Sequence, residues 1–148
     1  MIRVGIVGIG QWGKNLLKEF SKISSISISV TKGNHDNRRW LKTNYPKIKS
    51  SKNYSDILQD ENIDAVIIAT PIKTHFKLAY QALLAGKHVF IEKTISENSF
   101  DGKKLLELAK KKHLVIFVGY EFLYHPAFQK IKNISTKEKI LQLKCEWS

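Results

Sequence analysis

Acid is scarce in this chain: 13 Asp and Glu stand against 25 Lys and Arg, a formal net charge of +12 over 148 residues. Cysteine is scarcer. The single Cys145 permits no internal disulfide and has no partner at metal-ligand spacing, so the sequence predicts a reducing, cytoplasmic setting and no metal site. Long apolar runs are missing as well. Runs such as 65–69 and 114–118 are the length of buried strands, far short of the roughly 20 residues of a membrane span, and no membrane partner is expected. A strand pattern that starts at Ile2 also argues against a signal peptide. The 43% of hydrophobic residues is enough for one domain with a real core.

The excess of lysine could draw the chain to nucleic acid or to an anionic surface, or favour a phosphate-bearing ligand. The lysines are scattered over every segment, however. Only Lys110, Lys111 and Lys112 form a run, where a helix should end and its dipole favours cations. With no helix-turn-helix or aromatic stacking motif, no nucleic-acid partner is expected.

What is present is organised around residues 3–17. Val4, Ile6 and Val7 make a short apolar strand, Gly8-Ile9-Gly10-Gln11-Trp12-Gly13 follows, and Leu16, Leu17 and Phe20 recur at helical spacing. This is GxGxxG between a strand and a helix. Gly8 suits the tight turn, Gly10 lets main chain approach a diphosphate, and Gly13 lets helix and strand pack closely. Free N–H groups at the helix start then face the anion, so residues 8–13 are expected to bind a dinucleotide. A glycine turn that binds nothing is the competing reading, and the later strand and helix units weigh against it.

Farther on, Ile26, Ile28 and Val30 alternate with Ser25, Ser27 and Ser29, a period of two that predicts the second strand with the aliphatic residues on one face. Its end is where an acid for the adenosine ribose is expected. The chain instead reads Thr31-Lys32-Gly33-Asn34-His35-Asp36-Asn37-Arg38-Arg39. Asn34 or Asp36 could take the ribose, while Lys32, Arg38 or Arg39 could meet a 2′-phosphate, which leaves NAD against NADP open. Asp36 could equally cap the helix carrying Trp40 and Leu41, which Pro46 ends. Residues 55–59 suggest a short capped helical turn.

Residues 65–70 form a nearly unbroken apolar run of the kind covered on both faces in a parallel sheet. Its carboxyl end delivers Thr70 and Pro71, then His75 at the front of a helix closed by Gly86. Ligands of open parallel sheets lie at that rim, so Thr70, Pro71 and His75 are placed to line a pocket, although His75 could instead satisfy local backbone. The next strand, 88–91, ends in Glu92-Lys93-Thr94 at the same rim. Lys93 could act there by charge, hydrogen bonding or proton transfer; taken alone, Glu92 and Lys93 read as a surface salt bridge. A helix over 99–112, with Leu105, Leu106, Leu108 and Ala109 inward, and a strand over 114–118 complete the alternation. The pattern predicts an α/β fold: a doubly wound parallel sheet with helices on both faces.

Taken together, the glycine turn, Ala69-Thr70-Pro71 with His75, Ala85-Gly86-Lys87-His88, Glu92-Lys93 and Gly119-Tyr120-Glu121-Phe122-Leu123-Tyr124-His125-Pro126 resemble the Gfo/Idh/MocA oxidoreductases over essentially the whole chain. The resemblance implies an N-terminal Rossmann domain that binds NAD or NADP, and hydride transfer to or from sugars, inositols, nucleotide sugars and related polyols. It implies that Gly8, Gly10, Gln11 and Trp12, with Ile9 and Gly13 in the same turn, hold the diphosphate. Asn34 would stand at the ribose, and Thr70, Pro71 and His75 would flank the cofactor. Glu92 and Lys93 match the first two residues of the family's EKP motif, which makes Lys93 the catalytic candidate beside nicotinamide and substrate. The Phe-Leu-Tyr-His-Pro spelling looks most like members acting on polysaccharide or nucleotide-sugar precursors.

Three departures accompany the matches. EKP is EKT here, so Thr94 lacks the ring that fixes the turn. The acid after the second strand is displaced or replaced. Glu121 stands where an uncharged or histidine residue is common, and a carboxylate there could change substrate choice. The resemblance also divides the chain, with 1–122 as the dinucleotide-binding domain and 123–148 as a linker helix and first strand, over 140–147, of a substrate domain otherwise absent. On this reading the isolated chain is inactive and needs a second polypeptide. The alternative is a non-catalytic nucleotide-binding or interaction module, a truncated remnant that associates with itself or another chain through that last strand.

Overall fold

The computed structural model describes residues 1–148 apart from Lys32, Gly33, Ile140, Leu143, Cys145, Trp147 and Ser148. Six short segments, β1 (Arg3–Val7), β2 (Ser25–Val30), β3 (Lys49–Ser51), β4 (Ala65–Ile68), β5 (His88–Ile91) and β6 (Ile116–Val118), pair side by side in one sheet. Every pairing is parallel and the order is β3-β2-β1-β4-β5-β6. The connections are α1 (Gln11–Phe20), α2 (His35–Asn44), α3 (Ser55–Leu58), α4 (His75–Leu84) and α5 (Ser99–Lys111), and α6 (Pro126–Ser135) follows the last strand.

Side chains alternate across each strand, and that alternation builds two cores. Val4 and Ile6 of β1 and Ile67 of β4 face Leu17 of α1 and Leu41 of α2. Val7, Val66, Ile68, Val89 and Ile91 face the other way, onto Ile57 of α3, Ala79, Ala82 and Leu83 of α4, and Leu105 and Ala109 of α5. The sheet is thus doubly wound with helices on both faces, as the strand and helix pattern predicts. Each fully buried Ile or Leu stabilises the fold by about 1.5–3 kcal/mol, so these two layers dominate its stability. Gly86 ends α4 with φ 76, the left-handed conformation that suits glycine at this place.

Several expectations are corrected. The period of two in β2 does not keep its aliphatic residues together. The pairing steps from Val4 opposite Ile26 to Gly5 opposite Ile28, so Ser27 is an inserted residue. A bulge of one residue shifts the side-chain phase, and Ile26 joins the α1–α2 core while Ile28 and Val30 join the opposite one. Leu106 points outward, 52% exposed, because the buried spacing on α5 is Gly102, Leu105 and Ala109. The last strand starts at Ile116 rather than at 114, and β3 was not legible at all: Lys-Ser-Ser carries no apolar pattern, and it sits at the sheet edge. The strand expected over 140–147 rests on Ile140, Leu143, Cys145 and Trp147, which lie outside the described residues. Among the described residues no helix is long and apolar enough to cross a membrane.

Candidate functional site

The strand order reverses between β1 and β4, whose following helices leave to opposite faces, so a crevice opens at their carboxyl ends. The three glycines of the first turn divide the labour there. Gly8 has φ 86 and donates its N–H to the Val30 carbonyl at 3.0 Å; a β-carbon on it would lie 2.4 Å from the Ala69 oxygen. A β-carbon on Gly13 would lie 2.2 Å from the Gly8 oxygen. One on Gly10 would meet nothing within 4 Å. Gly8 and Gly13 are therefore required by packing, whereas Gly10 leaves a bare surface.

α1 begins at that surface. Its N-cap is Gly10, with no side-chain cap and no acid in the first turn, so its first N–H groups remain available to an anion. Ile9 is fully buried in the α1–α2 core and borders the crevice from beneath the turn. Gln11 is exposed, and Trp12 is 48% exposed and reaches toward Glu92 and Lys93.

A cavity of about 290 Å³ follows the crevice, lined by residues 7–10, Val30, Thr31, Asn34, Asn37, Ala69, Thr70 and Pro71. Asn34 belongs to it and also caps α2, its Oδ1 accepting the Asn37 N–H at 2.9 Å. The cap expected of Asp36 is thus made by Asn34; Asp36 lies in the first helical turn and does not border the cavity. Thr31 is 5% exposed, and its hydroxyl has no partner among the described residues. That hydroxyl is enclosed, as is the equally unpartnered hydroxyl of Ser29 on β2, so Thr31 borders the cleft through its other atoms. Thr31 and Asn37 were missed as site residues; the signal was their place on either side of the residues named from the ribose rule.

On the other wall, the Thr74 hydroxyl donates to the Pro71 oxygen at 2.7 Å, which leaves Thr70 to donate to Thr74, also at 2.7 Å. His75 lies beneath this turn, 1% exposed. Its Nε2 is 2.7 Å from the Thr70 oxygen and its Nδ1 2.7 Å from the Thr94 oxygen, so the ring ties the loop after β4 to the loop after β5. Both partners are carbonyl oxygens, and the tautomer decides which ring nitrogen donates.

The loop after β5 carries the remaining chemistry. Glu92 is 9% exposed and makes no side-chain hydrogen bond among the described residues. A β-carbon on Gly119 would come within 3.0 Å of its Oε1, so that glycine makes room for the carboxylate. Glu92, Trp12, Ala69, Thr70 and Lys93 enclose a space of about 270 Å³. Lys93 does not pair with its neighbour, as the two residues in isolation suggest. Its Nζ lies 2.9 Å from Glu121 Oε1 and 5.6 Å from the centre of the Phe122 ring, and the Lys93–Thr94 peptide is cis. The hydrogen bond that Lys93 donates to Glu121 holds its ammonium above the ordinary lysine range, and the same bond holds the Glu121 carboxyl below its own. Lys93 is thereby fixed as a charged donor. Beyond it lies a largely apolar hollow of about 380 Å³ bounded by Lys93, Tyr120, Glu121, Phe122, Leu123 and Phe128.

Bare main chain at Gly10 and unclaimed N–H groups at α1 fit a dinucleotide's diphosphate, and Asn34 borders the space where its ribose would lie. Residues 2–120 match the family model described as oxidoreductase family, NAD-binding Rossmann fold. The chain is 29% identical over 133 residues to the myo-inositol 2-dehydrogenase of Thermotoga maritima, covering 89% of this chain and 40% of that protein. It is 28% identical over 132 residues to the UDP-N-acetylglucosamine 3-dehydrogenase of Acidithiobacillus ferrooxidans, covering 89% of this chain and 41% of that one. Its fold superposes on the crystal structure of an NAD-binding protein from Listeria innocua with a TM-score of 0.80 at 28% identity, over 94% of this chain and 41% of that one. The chain therefore spans about two fifths of the length of these relatives. With glycine turn, strand order and coenzyme crevice in agreement with that match, the chain belongs to the Gfo/Idh/MocA oxidoreductase family, of which it carries the NAD-binding Rossmann domain.

Proposed function

We propose that this chain holds the nicotinamide coenzyme of an oxidoreductase acting on a hydroxyl-bearing, sugar-like substrate. The observation that carries the reading is the convergence, on one rim of the sheet, of the Gly8–Gly13 turn and the charged Lys93. The diphosphate would rest against Gly10 and the start of α1. Asn34 would meet the adenosine ribose, while Thr70, Pro71 and Trp12 border the path toward Glu92 and Lys93. His75 would act from below by fixing the carbonyls of Thr70 and Thr94. When bound, the coenzyme supplies or accepts the hydride. Lys93 donates a hydrogen bond to the substrate oxygen whose carbon reacts, and its ammonium stabilises negative charge that develops there. The relatives are named for inositol and nucleotide-sugar substrates, which supports the substrate class.

Because the chain spans two fifths of those relatives, the reading assigns the substrate pocket to a further domain, on this or another polypeptide. The 148 residues alone then bind coenzyme without turnover. The test is titration of the isolated chain with NADH and NADPH, followed by a dehydrogenase assay over a sugar and polyol panel with the second domain supplied. Saturable binding, turnover only in the combined system and loss of turnover in Lys93→Met support the reading. A second reading, a non-catalytic nucleotide-binding module, is favoured by the exposed apolar face of Leu123, Tyr124 and Phe128, 60%, 65% and 43% exposed. Coenzyme binding with no turnover in any combination would select it.

A further inference from the structure

The adenosine end of the crevice is unusual in its charge. Among the described residues lining it there is no carboxylate to accept the hydroxyls of an unphosphorylated ribose; Thr31, Asn34 and Asn37 stand there instead. Immediately beyond, between α2 and β3, is a cavity of about 470 Å³ that Arg38, Arg39 and Lys42 line, again with no acid among the described lining residues. Arg38, on the wall of this cavity, donates from Nη1 to the main-chain oxygen of Thr31, which lines the crevice, at 3.1 Å. That bond uses one of the five guanidinium donors. No ion pair engages Arg38, Arg39 or Lys42 among the described residues. Three cations without counter-ions among the described residues, around one cavity beside the ribose end of the crevice, make a site for a dianion.

We infer that this cavity receives the 2′-phosphate of NADP(H), and that the chain selects the phosphorylated coenzyme over NAD(H). The inference rests on the coenzyme reading above and goes further, assigning a role to Arg38, Arg39 and Lys42. Arg38 would present its remaining N–H groups to the phosphate, while Arg39 and Lys42, one and four residues along α2, supply the balancing charge.

The experiment titrates the full 148-residue chain with NADPH, NADH, 2′,5′-ADP and 5′-AMP by calorimetry, in wild type and in Arg39→Ala, Lys42→Ala and the double variant. Melting curves verify folding. The expected result is NADPH bound at least about tenfold more tightly than NADH, 2′,5′-ADP more tightly than 5′-AMP, and a loss of about tenfold or more for the phosphorylated ligands in the double variant with NADH little changed. Arg38→Ala should act likewise, but it also frees the Thr31 carbonyl, so the other two variants decide. NADH bound as tightly as NADPH, or variants that weaken both coenzymes alike, overturns the inference and leaves the coenzyme reading standing. Inorganic phosphate that binds without competing with NADPH overturns it too, because the cavity then serves a separate anion. Binding of neither coenzyme overturns both readings.

Discussion

A β-carbon at Gly13 would lie 2.2 Å from the carbonyl oxygen of Gly8, a contact with main chain that no side-chain rotation relieves. The two glycines are thus one structural requirement. Gly10, three residues before Gly13, has open space instead. Gly13→Ala should destabilise the fold by more than about 2 kcal/mol in urea unfolding. Gly10→Ala should cost no more than about 1 kcal/mol, mainly through its place as N-cap, yet weaken both coenzymes by at least about tenfold. A Gly10→Ala protein that binds coenzyme like wild type would show that the diphosphate does not rest there.

The pairing of Lys93 with Glu121 has a defined pH window. Glu121 is held below its ordinary value, so its part of the stabilisation is present above the unfolded carboxyl's range and vanishes as pH falls through the folded value. Lys93 is held above its own, so its part is present below the unfolded lysine's range and vanishes as pH rises through the folded value. Both side chains are 44% exposed, so the effect on stability is small and screened by salt. In Glu121→Gln, the Lys93 ammonium should titrate at lower pH by NMR than in wild type. An unchanged Lys93 titration would refute the assignment of Glu121 as its partner in solution.

Replacing His75 removes both ties between the loops after β4 and β5. His75→Ala should destabilise by about 2–4 kcal/mol, chiefly from the cavity left by the buried ring, with the loss of its contacts to the Thr70 and Thr94 carbonyls added. His75→Gln, which keeps an amide donor, should lose less. Hydrogen exchange should accelerate locally around residues 70 and 94 in both variants, with weaker coenzyme binding. Exchange that rises uniformly over the whole sheet would indicate a global effect instead.

Tyr54 sits in the α3–α4 core and donates its hydroxyl to the Leu78 oxygen at 2.9 Å. Burial pushes its phenol well above the ordinary tyrosine value. The unfolded chain therefore releases this proton first, and stability should fall as pH rises above about 10, the unfolded tyrosine value. Tyr54→Phe should flatten that fall while costing about 1 kcal/mol at neutral pH for the lost bond. Absorbance titration should show Tyr54 ionising only as the protein unfolds.

The parts of the fold most legible in the sequence were those where one physical signal dominates. Unbroken apolar runs marked β4 and β5, and glycines forced by backbone contact marked the first turn. β2 looked equally plain, but periodicity counts residues and does not see that Ser27 is inserted against the Val4–Gly5 step of its neighbour. β3 had no such signal, since an edge strand two places from the centre needs little apolar character. At the site, Lys93, Glu92 and Thr70 lie on the rim where sequence order puts them. The partnership of Lys93 with Glu121, 28 residues apart, depends on where β6 delivers its chain, which no local pattern encodes.

Lys87 sits at the opposite end of the sheet from the coenzyme crevice. It is 6% exposed, and its ammonium donates to the main-chain oxygens of Asp60 and Ile63, at 2.7 Å each, just ahead of β4. A single side chain thus rivets the segments leading into β4 and β5 to each other at their floor. The two strands are consequently held together at both extremities, by Lys87 at the base and by His75 at the rim, so β4 and β5 offer the ligand a paired and spaced set of strand ends rather than two independent ones.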